Sequence, residues 1–330
     1  MTSEVTERAR ALVAERLPEA RALGAELAEL IDDPEAFVAS LRAGFSRLAD
    51  EPYAAAQARI APGSGAVFGV RWPLVDAVGA GLRGPLRESS ASSALYLAQR
   101  LAAGDEQEVR LFSHVPLGRS LVDDPERSWQ LMRQLARAAN DWVSVDSLAH
   151  LVAQGILTEP FRWAELEQLV YSADRWERRL VGSTIATLPF RLPRARRPEL
   201  ARTPGLTLIR SLLGDAEPDV QRALSWALRS WLEVDPAGVD ALIDAEAARA
   251  RRQSDGHRAW VLRDALSAPG HDPAFVARMR SVLAGVRRQA NSPSTSTAAE
   301  VAAGFRGIEQ LTDRALELQG ERQALAGRRT

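Results

Sequence analysis

Apolar residues recur along this chain with the period of an α-helix almost from end to end. Phe37, Leu41, Phe45 and Leu48 stand at i, i+4, i+8 and i+11, which lines them along one helical face. Asp32-Asp33-Pro34 precedes them. An acidic cap followed by proline starts a helix well, because proline sets the helical φ at a position where no backbone donor is needed. Stripes of the same period recur over 125–138, 147–157, 163–171, 180–188, 206–213, 220–232 and 239–248. Short breaks separate them, among them Ala103-Gly104-Asp105, Asp123-Asp124-Pro125, Thr158-Glu159-Pro160, Asp215-Ala216-Glu217-Pro218 and Val234-Asp235-Pro236. No segment alternates with period two over a useful length, so the expectation is all-α without strands.

Helix pairs recurring every ~40 residues predict a HEAT-like helical repeat solenoid, a curved α-α superhelix. A globular helical domain is the alternative that periodicity alone leaves open. The expected divisions are an N-terminal helical extension over 1–31, a HEAT-like domain over 32–285, and a flexible linker with a C-terminal amphipathic helix over 286–330. The linker expectation rests on the polar run Gln289 to Ala298. The terminal helix rests on Val301, Phe305, Ile308, Leu311, Ala315 and Leu318, too short a run for a coiled coil and suited to docking.

Composition narrows the chemistry. The 330 residues carry 42 basic and 43 acidic side chains, every basic one being arginine, and there is no cysteine. Without lysine a P-loop phosphate contact and a side-chain Schiff base are both closed. Without cysteine there is no disulfide, thiolate nucleophile or cysteine zinc site. His114, His150, His257 and His271 stand in no metal-ligand spacing, so neither a metal nor another cofactor is expected. The N-terminal residues are acidic and lack an apolar run, unlike a signal or transit peptide, and no run approaches the ~18 apolar residues of a membrane span. A cytoplasmic, nucleoid-associated monomer is expected, with no membrane partner.

The near-neutral total hides an uneven distribution. Residues 1–50 hold six arginines against ten acids, whereas 175–210 hold nine arginines against Glu177 and Glu199, a net of plus seven. Such a run reads equally as a polyanion footprint or as a solvated arginine-rich turn. Three tryptophans each stand one helical turn before a charged residue: Trp142 with Asp146, Trp176 with Arg179, and Trp226 with Arg229. In stacked repeats these pairs would line one groove of indoles, guanidinium groups and a carboxylate, suited to a nucleic-acid backbone. Trp72, Trp129, Trp163, Trp231 and Trp260 read as packing. On spacing alone, a helix-surface acid paired with an arginine is the simpler account of Asp146.

Four motifs in order change that balance. Val67-Phe68-Gly69-Val70-Arg71-Trp72-Pro73, Trp142-Val143-Ser144-Val145-Asp146-Ser147, Asp174-Arg175-Trp176-Glu177-Arg178-Arg179 and the helix from Val220 to Arg229 are together similar to the DNA alkylation repair family of AlkD type, HEAT-like-repeat alkylpurine DNA glycosylases. The resemblance runs from about Phe37 to about Ala265. It implies that Asp146 is the catalytic carboxylate, that Trp142 and Trp226 contact the lesion nucleotide, and that Arg179 and Arg229 hold phosphates. Arg175, Trp176, Arg178 and Arg222, in the same motifs, join the expected DNA-binding set.

The implied reaction is excision of N3- or N7-alkylated purines, bulky adducts included, from double-stranded DNA. Alkylation makes the base cationic and a good leaving group, so the protein must stabilise only the oxocarbenium character on the sugar. The resemblance also implies that the base is not drawn into a protein pocket. Because the chain lacks lysine, no lyase step is expected. The alternatives are a catalytically silent HEAT-repeat DNA-binding protein and a HEAT-repeat scaffold for protein partners.

Overall fold

The computed structural model describes residues 2–304 and is all-α, its helices packed in repeat-like succession. The only β pairing among the described residues is an isolated parallel bridge between Ala66 and Glu106. No helix among them is long and apolar enough to cross a membrane. The chain forms two compact units, residues 1–160 and 161–330, where the periodicity suggested one domain over 32–285.

The first unit holds α1 (Thr2–Ala28), α2 (Pro34–Arg47), α3 (Glu51–Ile60), α4 (Trp72–Gly81), α5 (Pro85–Glu88), α6 (Ala91–Ala102), α7 (Gln107–Phe112), α8 (His114–Asp123), α9 (Pro125–Ala138) and α10 (Trp142–Thr158). The Asp-Pro signals act as read. Asp33 accepts from the backbone N–H of Ala36 and Asp124 from that of Arg127, each with proline at the first helical position. Caps of this kind contribute about 1 kcal/mol each. The predicted stripe of Phe37, Leu41 and Phe45 is fully buried, and Phe45 meets Phe112 edge to face at 5.7 Å. Ala20, Leu23 and Leu27 of α1 enter that same core, with α1 packed on α4. Ala20, Leu23, Leu27 and Ile31 thereby tie the N-terminal helix to the core of the first unit.

The second unit holds α11 (Arg162–Val170), α12 (Arg175–Thr187), two 3-10 stretches (Leu188–Arg191 and Arg194–Arg202), α13 (Gly205–Leu212), α14 (Pro218–Trp231), α15 (Pro236–Gln253), α16 (Gly256–Ala265) and α17 (Pro273–Val282). α12 packs between α11 and α14 and is buried along most of its length. Arg258, with no exposed surface, is paired with Glu246 at 3.1 Å and Asp255 at 3.4 Å and donates to the Leu213 carbonyl at 2.8 Å. This group ties α15, α16 and the end of α13 together, with the buried cation matched by two acids as burial demands.

The expected flexible linker differs most from its reading. The Thr295 N–H donates to the Gly214 carbonyl at 2.9 Å, and the Ser294 hydroxyl accepts from the Ala216 N–H at 2.9 Å. The Thr295 hydroxyl donates to Asp255, and Ser296 and Ala298 are buried. Polar composition suggested a solvated tether. Here the small hydroxyl residues satisfy backbone and capping groups at the ends of α13, α14 and α16, so segment 286–296 is a strap fixed to the second unit. A helix follows over 297–304; the remaining apolar positions of the expected terminal helix, Phe305 to Leu318, lie outside the described residues.

Candidate functional site

The first turn of α10 carries the centre of the site. Asp141 caps it, accepting from the Ser144 N–H at 2.9 Å and the Ser144 hydroxyl at 2.7 Å. Trp142 opens the helix and Asp146 follows one turn later on the same face. The Trp142 indole N–H donates to the Ile60 carbonyl at 3.0 Å, which fixes the ring against the end of α3. Trp142 and Asp146 line a cleft of about 890 Å³ within the first unit, together with Tyr53, Trp72, His114 and His150.

Trp72, at the start of α4, is set by the loop that precedes it. Glu108 is buried and accepts three backbone N–H groups, from Phe68 at 3.1 Å, Gly69 at 2.6 Å and Val70 at 3.1 Å. Gly69 has φ +79°, and a Cβ there would overlap the Asp50 carbonyl and Ala54, so only glycine suits the turn. Arg71 then forks onto Asp50 at 2.9 and 2.7 Å and lies 4.4 Å over the Tyr53 ring. The chain leaves this anchored loop at Trp72, whose indole is 46% exposed at the cleft. Trp72 is thus a cleft residue, where its absence from the Trp–charge pairs suggested packing.

Burial, with a smaller contribution from the nearby His150, lowers the His114 pKa from 6.5 to about 4. The His114 imidazole is therefore neutral at neutral pH. Burial raises the Tyr53 pKa, aided by Glu108 and Asp50 and opposed by Arg71, so the phenol keeps its proton. A carboxylate among indole, phenol and neutral imidazole groups is suited to stabilising positive charge that develops beside it. Among the described residues no group of three His, Cys, Asp or Glu side chains is arranged to hold a metal ion.

The second unit sorts the expected DNA contacts into buried and exposed. Trp176 and Arg179 are only 6% and 4% exposed, and the Arg179 guanidinium donates to the Asp219 carbonyl at 2.6 Å. Both lie within the packing of α12 and not on an open groove. Arg178 is held by buried Asp215 at 2.7 Å and by the carbonyls of Ser172 and Ala173. Arg175 lies 4.8 Å over the Trp176 ring and 3.8 Å from Glu217. Arg222 is exposed beside Asp219, at 3.1 Å, while Arg229 meets Asp264 and Ser225 next to the partly exposed Trp226.

The basic run over 175–210 also changes in space. Arg196 pairs with Glu199 at 3.0 Å, Arg197 with Glu233 at 3.0 Å and Arg210 with Glu246 at 3.0 Å. Asp215, Glu217, Glu233 and Glu246, all outside the stretch, thus offset part of the charge that a linear count assigned to it. His114 and Tyr53 were not among the sequence candidates. They come from α8 and α3, and only their neighbours in space mark them.

These features define an all-α protein of repeat-like helix packing with an aromatic, carboxylate-bearing cleft. The chain belongs to the DNA alkylation repair enzyme family, which it matches over residues 41–267. That span contains Trp142, Asp146 and all the expected DNA contacts and ends before the strap. No curated protein matches the chain.

Proposed function

We propose that this chain is a monofunctional DNA glycosylase of AlkD type, built on a HEAT-like scaffold, that releases N3- and N7-alkylated purines from double-stranded DNA. The observation that carries this reading is the sharing of one aromatic cleft by Trp142 and Asp146 in a member of the DNA alkylation repair family. A cationic alkylpurine departs with the electron pair of the N-glycosidic bond and becomes neutral. Positive charge then grows on C1′ and the ring oxygen of the sugar. The Asp146 carboxylate stabilises that charge and orients a water, whose oxygen bonds to C1′ and whose proton passes to the carboxylate and then to solvent.

The neighbouring indole face of Trp142 adds cation-π attraction to the same developing charge. With this chemistry directed at the sugar, the modified base is not drawn into a protein pocket, as the family resemblance implies. In the second unit, the exposed Arg175 and Arg222 and the half-buried Arg229 with Trp226 are assigned to the nucleic-acid surface. With no lysine in the chain, no side-chain imine forms and the abasic site is left intact.

The test is incubation with methylated duplex DNA, followed by quantifying free 7-methylguanine and 3-methyladenine. Asp146→Asn should bind DNA as the parent does yet release base at least ~100-fold more slowly, the scale of one preorganised electrostatic group. Release at the parental rate would remove the carboxylate role. If the parent binds the duplex and releases nothing, the chain is a silent DNA binder.

A further inference from the structure

A second cluster of arginines lies in the second unit at the end of the family-matched span and beyond it. Arg263 of α16 donates to the Leu283 carbonyl at 3.1 Å and the Val286 carbonyl at 2.8 Å, which fixes the backbone just ahead of Arg287 and Arg288. The Arg287–Arg288 peptide lies directly against Gly256, the first residue of α16, where a Cβ would overlap it. The Arg288 guanidinium sits 5.1 Å over the Trp260 ring and donates to Gln221 Oε1 at 2.9 Å. Gln221 is itself held, donating to the Asp215 carbonyl at 2.6 Å and meeting His257 Nδ1 at 3.1 Å.

Two contrasts separate this cluster from the arginines of 175–210. Arg196, Arg197 and Arg210 each face an acid, whereas Arg263, Arg287 and Arg288 make no ion pair among the described residues. Exposed arginines normally sample many rotamers, but Arg288 is held by an indole and an amide, and its loop is pinned by Arg263. Burial lowers the Arg263 pKa, and the nearby Arg287 and Arg288 lower it further, so like charges are gathered here. Gathering cations around a rigid indole costs electrostatic energy that a bound anion would offset.

We propose that Arg263, Arg287 and Arg288 form a binding site for backbone phosphates of duplex DNA, presented by the strap 286–296 on the α14–α16 face. Guanidinium forks match phosphate oxygens bidentately, and Arg288 is aimed by its bond to Gln221 of α14. The site extends the nucleic-acid surface onto a segment outside the family match. It rests on the reading of the chain as a DNA-binding protein.

The experiment measures binding of a labelled duplex by the full chain from 50 to 200 mM salt, for the parent and for Arg287→Ala/Arg288→Ala. Loss of two phosphate contacts at about 0.9 per phosphate should make the slope of log affinity against log salt shallower by about 1.8. Over that fourfold salt range the variant should then lose roughly 10-fold less affinity than the parent. Arg287→Lys/Arg288→Lys should keep most of the parental slope, and Gly256→Ala, which displaces the strap, should lower it with both arginines present. If the parent binds and the double alanine variant keeps its slope, this site falls while the DNA reading stands. If the parent binds no duplex, both fall.

Discussion

A His114→Gln substitution should make the first unit more resistant to acid. His114 lines the cleft with its pKa lowered from 6.5 to about 4, chiefly by burial and secondarily by His150. Between those two values the unfolded chain takes up a proton that the folded chain refuses. The unfolded state thus binds more protons, and stability must fall as the pH drops from about 6.5 towards about 4, levelling below both. At 1.36 kcal/mol per pKa unit, a displacement of roughly 2.5 units amounts to about 3 kcal/mol. Urea unfolding of parent and variant at several pH values between about 4 and 7.5 reads this directly, because carboxylates common to both cancel in the difference. At neutral pH the imidazole is uncharged, so the difference there isolates packing. The expected result is a difference that shifts in the variant's favour by about 3 kcal/mol on going to pH ~4. A difference that stays constant across the range would mean that the imidazole titrates as in the unfolded chain, and the account of the cleft as a desolvated, neutral-imidazole environment would fail.

Two further substitutions probe the framework. Glu108→Gln leaves one acceptor where three backbone N–H groups converge and turns an amide N–H towards them, so it should cost about 2–3 kcal/mol in urea unfolding and blue- or red-shift the fluorescence of Trp72 as its loop relaxes; parental stability would refute the cradle. Arg179→Ala removes a buried guanidinium and its bond to the Asp219 carbonyl, so it should cost about 2–3 kcal/mol of stability and leave the salt slope of DNA binding unchanged. A slope shallower by about 0.9 would instead return Arg179 to the phosphate contacts.

Local features of the fold were legible because they are local in physics. Asp33 before Pro34 and Asp124 before Pro125 signal helix starts through contacts three residues long, and the structure carries both caps. The Trp142–Asp146 relation was legible for the same reason: an interval of four residues places both on one side of α10. The family match over 41–267 supports the resemblance drawn from the ordered motifs. What sequence reasoning missed depends on contacts between distant segments. Trp72 looked like packing, yet it is exposed by a loop that Glu108, some forty residues away, holds by its backbone. The polar strap looked like a tether, yet its hydroxyls meet helix ends far upstream, at Gly214, Ala216 and Asp255.

Charge shows the same division most sharply. A window count sums neighbours in sequence, whereas the field at a surface depends on neighbours in space. Over 175–210 the window found nine arginines and two acids, but Asp215, Glu217, Glu233 and Glu246 all lie outside that window and face its arginines. Arg178 and Arg179 are thereby committed to holding α12 against its surroundings. The cluster of Arg263, Arg287 and Arg288 drew no attention in the count, because two of the three stand in a run that reads as the start of a linker. In space they converge beside Trp260 with no acid paired to them among the described residues. A phosphate backbone responds to cations that are exposed, unpaired and held in place. By that criterion the basic surface of the second unit suited to a phosphate backbone is the strap-bearing face, and not the longer arginine run that the sequence displays.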